Sequence, residues 1–180
     1  MKALVLYESM YGNTRKVAEA IAHGLDGLDG LVSASVVEVG DVREEQVAEC
    51  GLLVVGGPTH VHGMSRPSSR RSAIAVASAT GEFDVGSRIN MGVREWLSAA
   101  QAAGPGKLAV AFDTRNHGPA LITGKASKSI SEGLRKAGFS VMTKAMSFEV
   151  GPGPSLAPEE IERATSWGRE LARLLKDRGA

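Results

Sequence analysis

The chain reads as an α/β protein with a doubly wound, five-stranded parallel sheet. Three observations carry that reading. Short apolar, β-prone runs alternate with longer stretches of helical period. Runs such as Ala3-Leu4-Val5-Leu6-Tyr7 and Leu52-Leu53-Val54-Val55 are continuous, which marks strands covered on both faces. The intervals between runs mostly fit a single crossover helix, and right-handed crossovers leave few topologies.

In chain order, Ala3 to Tyr7 is the first strand. Thr14 to Leu25 follows as a helix, with Val17, Ile21 and Leu25 at four-residue spacing and Gly24 and Gly27 as stops. Leu31 to Val39 is the second strand, and Asp41 is placed to cap a short helix over Val42 to Glu49. Leu52 to Val55 is the third strand and Leu108 to Phe112 the fourth. Lys125 to Lys136 is helical, with Ile130, Leu134 and Ala137 in register, and Ser140 to Phe148 is the fifth strand. After Gly151-Pro152-Gly153-Pro154, Pro158-Glu159-Glu160 opens a last helix, with Pro and carboxylates suited to the first turn. Ile161, Ala164, Gly168, Leu171 and Leu175 form its buried stripe, with Trp167 beside it.

The irregular stretch is the connection from Gly56 to Gly106, about fifty residues where a dozen or so plus short loops is usual. It holds two helix-like parts, Pro67 to Ala79 and Met91 to Ala103, separated by a loop over Thr80 to Gly86. In the second part Val93, Trp96, Leu97 and Ala100 follow helical spacing, so Trp96 reads as core packing.

A length of 180 residues suggests one domain, residues 1–180, large enough for a core without staples. Net charge is +1, which argues against a polybasic nucleic-acid binder or an acidic tail. The lone cysteine, Cys50, excludes an internal disulfide and a CxxC pair, and reads as a small hydrophobe. No stretch approaches ~18 uninterrupted apolar residues, so no membrane span is expected and the expected location is the cytoplasm.

Three polar, glycine-containing segments follow strands. The first, Ser9-Met10-Tyr11-Gly12-Asn13-Thr14, leads into a helix, where free N–H groups and the positive dipole end suit a phosphate. The bland alternative is a turn with Asn13 as N-cap. This loop has neither the G-x-G-x-x-G of a dinucleotide fold nor the Lys of a Walker motif. The second segment is Gly56-Gly57-Pro58-Thr59-His60-Val61-His62-Gly63-Met64, and the third is Asp113-Thr114-Arg115-Asn116-His117-Gly118-Pro119. In a doubly wound sheet, ligands bind beyond the carboxyl ends of the strands, so the three segments converge.

With these residues in view, the segment from Val5 to Thr14 resembles the phosphate loop of the flavodoxin superfamily. Gly56-Gly57-Pro58-Thr59 resembles the start of that family's second flavin loop, and Phe112 to Gly118 stands where its third belongs. The resemblance implies strand order 2-1-3-4-5 and one non-covalently bound FMN. It implies that Ser9, Met10, Tyr11, Gly12, Asn13 and Thr14 hold the ribityl phosphate. Pro58, Thr59, His60, Val61, His62 and Gly63 would lie along one side of the isoalloxazine, and Phe112, Asp113, Thr114, Arg115 and His117 along the other.

The departures from that pattern carry information. His60 stands where the resemblance places a stacking aromatic, and flavodoxins proper are usually strongly acidic. Val61 falls where those carriers favour Gly, and a β-branched residue resists the positive φ that the peptide rotation beside a half-reduced flavin needs. Weak stabilisation of the half-reduced flavin, and two-electron chemistry, are therefore expected. Arg66, Arg70, Arg71 and Arg115 lie in or beside the loops, placed to raise the reduction potential or to receive an anionic substrate, unless they are only a solvated helix turn. His60, His62 and His117 meet the count for a three-imidazole metal site, but flavin-edge contacts account for the same residues and no metal is expected.

The expected function is that of an FMN-binding redox protein, in electron transfer or in NAD(P)H-dependent reduction of a quinone-like acceptor. NAD(P)H or a redox partner protein would supply electrons, with no nucleic-acid partner. The alternative is a binding or regulatory module that kept the fold and lost FMN, which the missing stacking aromatics favour and the intact Ser9 to Thr14 loop disfavours.

Overall fold

A computed structural model describes residues 1–27, 30–60, 63–80, 90–102, 104, 106–118, 124–151, 155–156 and 158–179. The strands are β1 (Lys2–Tyr7), β2 (Ser33–Glu38), β3 (Leu52–His60), β4 (Gly63–Met64), β5 (Leu108–Asn116), β6 (Ser140–Val141) and β7 (Met146–Val150). The helices are α1 (Asn13–Asp26), α2 (Glu44–Glu49), α3 (Pro67–Thr80), α4 (Val93–Ala99), α5 (Ala126–Lys136) and α6 (Pro158–Asp177). The sheet runs β2-β1-β3-β5-β6, with β4 paired to β3 and β7 to β5. Every pairing is parallel except the short β3–β4 hairpin, where His60 faces Gly63.

The continuous apolar runs are explained by two cores. Alternate residues of β1 point to opposite faces. Ala3, Val5 and Tyr7 pack with Val17, Ile21 and Leu25 of α1 and with Trp167, Leu171 and Leu175 of α6. Leu4 and Leu6 pack on the other face with Val93 and Leu97 of α4 and Ile130 and Leu134 of α5. Trp96 is half-buried against this second core, in keeping with its helical spacing. Cys50 is buried there too, its Sγ 3.3 Å from the Val47 carbonyl, and burial pushes the thiol's pKa up.

Several boundaries differ from the sequence reading. Strands β3 and β5 run on through Gly56 to His60 and Asp113 to Asn116, so two segments read as loops begin as paired strand. Gly56 pairs with Phe112, Gly57 with Asp113 and Pro58 with Thr114, because each strand supplies ladder partners that the local sequence does not reveal. The fifth strand is broken in two. Between Val141, paired to Ala109, and Met146, paired to Phe112, the outer chain takes five steps where β5 takes three, so it leaves the ladder in between. Helix α2 begins at Glu44 with Arg43 as its cap, rather than after Asp41, because the Arg43 N–H is satisfied by Gln46 Oε1 at 3.0 Å. The second helix of the long connection is shorter than expected, Val93–Ala99. The loop expected over Thr80 to Gly86, Phe83 included, lies almost wholly outside the described residues, which resume at Asn90.

Helices α1 and α6 cross at two glycines. A Cβ on Gly24 would stand 2.1 Å from the Thr165 carbonyl oxygen, and one on Gly168 would stand 2.3 Å from that of Ile21. These are backbone contacts with nowhere to yield. Gly24→Ala is therefore expected to cost about 1–3 kcal/mol, the usual range for overpacking a core. Urea denaturation that leaves its stability equal to wild type would contradict this close crossing.

Candidate functional site

Strand β1 ends at Tyr7, and the chain reaches α1 through Glu8 to Gly12. Gly12, not Asn13, is the N-cap, at φ 77°, a left-handed conformation that glycine adopts without penalty. Gly12 has no side chain to cap the helix, and the first turn of α1 carries no carboxylate, so its positive end is left for an anion. Ser9 is only 8 % exposed, and its Oγ has no hydrogen-bond partner among the described residues. A buried hydroxyl without a partner costs free energy that a ligand oxygen at this spot would recover.

Thr14, 2 % exposed, shares a 2.8 Å hydrogen bond with Thr114 Oγ1, which ties the first turn of α1 to the end of β5. Asn13 is buried beside it. Tyr11 stands out at 40 % exposure, while the Met10 side chain turns into the protein at 1 %, leaving Met10 only its backbone for a ligand.

The second and third segments are joined to one another. Thr59 Oγ1 donates to Asp113 Oδ2 at 3.2 Å and accepts from the Ala126 N–H at 3.0 Å. Asp113 Oδ2 also accepts from the Ser127 N–H at 2.7 Å, so the fully buried Asp113 caps α5. Its Oδ1 has no partner among the described residues. Phe112 has its ring in the core, 6.2 Å from that of Phe148 and filling the space where Gly56 lacks a Cβ. Its ring is therefore not at the edge where a flavin contact was expected. Pro58 and Gly63 are half-buried, and Val61 and His62 lie outside the described residues. His60 is half-buried, and burial, followed by the nearby Arg70 charge, lowers its pKa.

The arginines do not form a common outward-facing patch. Arg66 and Arg71 are exposed, but Arg70 is completely buried. Arg70 Nη2 pairs with Glu95 at 2.8 Å, and its Nη1 donates to Ser65 Oγ at 2.8 Å and lies 3.8 Å from Glu8. Glu8, 2 % exposed, also accepts from Ser65 Oγ and from the Val93 N–H at 2.8 Å. A Cβ on Gly92 would stand 2.3 Å from Arg70 Nη1 and 2.6 Å from Glu8 Oε2, so a side chain here would displace these charged groups. Arg115 pairs with Glu149 and donates to the Gly118 carbonyl at 2.6 Å. The charges of Arg70 and Arg115 are thus engaged inside the protein, a correction to the expectation that they lie open to a flavin or substrate.

Glu8, Ser65, Glu95 and Glu149 take part in these contacts although no motif marks them. Glu8 alone carried a signal, as a carboxylate directly after a strand buried on both faces. A cavity of about 970 Å³ between α4 and α5, lined by Met64, Arg94, Leu97, Gly133 and Lys136 among others, touches none of the residues from Ser9 to Thr14. Among the described residues no group of three His, Cys, Asp or Glu is placed to hold a metal, and no helix is long and apolar enough to cross a membrane.

Residues 5–78 match the family model for flavodoxin. The Flavodoxin of Aquifex aeolicus (strain VF5) is 32% identical over 83 residues, covering 46% of this chain and 44% of that protein. The match thus spans somewhat under half the length of that curated relative. Among solved structures, a flavodoxin from the domain Archaea superposes with a TM-score of 0.66 at 23% identity, over 98% of this chain and 99% of that one. Rubredoxin oxygen:oxidoreductase from the anaerobe Desulfovibrio gigas superposes with a TM-score of 0.64 at 17% identity, over 99% of this chain and 37% of that one. The chain is therefore similar to flavodoxins in sequence over residues 5–78 and in fold over nearly its whole length, with a flavodoxin-like strand order once β6 and β7 are counted as one broken strand.

Burial is the largest influence on Glu8 and raises its pKa, against the lowering effects of Ser65, Val93 and Arg70. The unfolded chain therefore gives up this proton first, and the folded state is favoured while Glu8 is protonated. That contribution is full below the ordinary value of about 4.5 and fades as pH rises through the higher folded-state value. Wild-type stability relative to Glu8→Gln should fall over this interval, and urea titrations at a series of pH values that give a flat difference would count against it.

Proposed function

We propose that this chain binds one FMN non-covalently and works as a redox protein, passing electrons in pairs to a quinone-like acceptor, with NAD(P)H or a redox partner protein as donor. The observation that carries the cofactor is the buried, unpartnered Ser9 hydroxyl at the N-terminus of α1, where a phosphate oxygen would complete it. The match of residues 5–78 to the flavodoxin family model supports the same ligand. When bound, FMN supplies the electron chemistry and the protein supplies position and electrostatics.

The residues from Ser9 to Thr14 would hold the phosphate, Ser9 through its hydroxyl and Gly12 by letting the backbone approach closely. Thr14 does so while bonded to Thr114, which keeps the phosphate loop in register with the third segment. Pro58, Thr59, His60 and Gly63 from one strand end, and Asp113, Thr114, Arg115 and His117 from the other, would flank the ring, with Val61 and His62 assigned to the same side as His60 by the sequence alone. The acceptor-only oxygen Asp113 Oδ1 suits a ligand hydroxyl.

Titrating the stripped protein with FMN, followed by flavin fluorescence, tests the reading. Ser9→Ala should weaken FMN roughly 10-fold or more, the loss of one charge-assisted hydrogen bond, and leave riboflavin, which lacks the phosphate, unchanged. A protein that takes up no FMN would transfer the argument to a module that kept the fold without the cofactor. A redox titration of the loaded protein is expected to show one two-electron step, because Val61 resists the backbone rotation that favours single-electron states. Two separated waves would exclude the paired-electron reading.

A further inference from the structure

Resting on the FMN reading above, we propose that Glu8 sets the anion affinity of the phosphate site, which takes up its anion together with a proton received by the Glu8 carboxylate. Glu8 directly precedes Ser9, whose buried hydroxyl has no partner among the described residues. The Glu8 N–H donates to the Gly56 carbonyl at 3.0 Å, so the backbone entering the loop is pinned to β3. Its side chain is buried in the cluster with Ser65, Arg70 and Glu95.

Charge in that cluster does not balance. Two carboxylates share the guanidinium of Arg70, with Nη2 at 2.8 Å from Glu95 Oε2 and Nη1 at 3.8 Å from Glu8 Oε1. The other charged or titratable neighbours among the described residues do not make up the difference. Arg94 of α4 is turned to backbone carbonyls, Nε donating to Ser65 at 3.0 Å and Nη2 to Met64 at 2.8 Å. Burial, followed by the Arg70 charge, lowers the pKa of His60 at the end of β3, so that ring is neutral at neutral pH. Arg15 in the first turn of α1 is exposed and pairs with Glu19. Two ionised carboxylates against one guanidinium leave one negative charge over, buried a single residue before the loop. A phosphate at the N-terminus of α1 meets that charge where solvent screens it poorly, and protonating Glu8 removes it.

The cluster accommodates the proton in place. Glu8 Oε1 touches Ser65 Oγ, which accepts from Arg70 Nη1 at 2.8 Å and keeps a second lone pair. That hydroxyl oxygen can accept from a carboxyl O–H as readily as its hydrogen serves a carboxylate. Oε2 accepts from the Val93 N–H at 2.8 Å in either state. Burial already raises the pKa of Glu8 above the ordinary 4.5, and the Glu95 charge acts in the same direction. A bound phosphate raises it further. Between the values of the empty and the filled site, binding draws one proton from solvent onto the carboxylate, and no electrons move. Affinity there falls as pH rises, by at most about tenfold per pH unit.

Calorimetry of FMN and riboflavin binding to the stripped protein, in buffers of differing ionisation enthalpy, counts the protons taken up. Measurements run from mildly acid to mildly alkaline pH on wild type and Glu8→Gln. The phosphate of FMN titrates alike with both proteins, so their difference isolates Glu8. Wild type should take up more protons with FMN than Glu8→Gln does. At the alkaline end Glu8→Gln should bind FMN roughly 10-fold more tightly, with the two affinities drawing together as pH falls. Riboflavin, which lacks the phosphate, should show neither difference. Damage to the loop would weaken binding, so the direction separates charge from structure. Glu95→Gln, which leaves Arg70 to Glu8 alone, should also tighten FMN at the alkaline end, and it carries the test should Glu8→Gln not fold. Equal proton counts, or a variant that binds FMN no more tightly than wild type there, overturn the proposal. Wild type that takes up no FMN at all overturns the cofactor reading, and this proposal with it.

Discussion

Strands β1, β3 and β5 have no face open to water. Helices α1 and α6 cover one side, and α4 and α5 the other, so side chains along the strand middles are driven to be apolar. Polar chemistry is left the ends of the strands, and parallel strands all end on the same edge. The meeting of Ser9, Thr59 and Asp113 at that edge is a consequence of covering the sheet on both faces. A one-faced antiparallel sheet would send successive strands to opposite edges and scatter the same residues.

That edge is held together by buried polar contacts rather than by apolar packing. Glu8 and Arg70 are removed from water, and isolated charges there would be costly, so each is surrounded by donors or acceptors from distant parts of the chain. Ser65 and the N–H groups of Gly92 and Val93 come from the two ends of the long connection. The cluster therefore fixes where that connection leaves and rejoins the core, directly beside the loop that leads to α1. Asp113 does the corresponding work on the other strand end, where one carboxylate oxygen holds Thr59 and the start of α5. Ser9 Oγ and the second oxygen of Asp113, by contrast, are buried without a partner among the described residues.

Much of this was legible in the residues. The continuous runs at Leu4 to Leu6 and Leu52 to Val55 gave strands covered on both faces, and the four-residue spacing in Thr14 to Leu25 gave α1 nearly to its ends. Glycine before a helix marked the turn from β1 into α1. The reading was weakest where pairing across the sheet sets the boundary. Strand β3 continues through Gly56, Gly57 and Pro58, residues that disfavour strands locally, because β5 lies alongside. Phe112 could be placed at the end of a strand, yet nothing local shows that its ring fills the hollow over Gly56.

The sequence by itself determined the alternation of strands and helices, the position of the loop that opens α1 and the polar segments that end β3 and β5. These follow from short-range physics: periodicity, glycine conformations and the unsatisfied first turn of a helix. Tertiary structure alone decided which polar groups are already engaged. Arg70 and Arg115 look like free cations in the sequence, but their partners Glu95 and Glu149 lie 25 and 34 residues away. Contacts over such separations form only when the sheet order and strand register bring the chain together, so composition shows the charges and the fold assigns their partners.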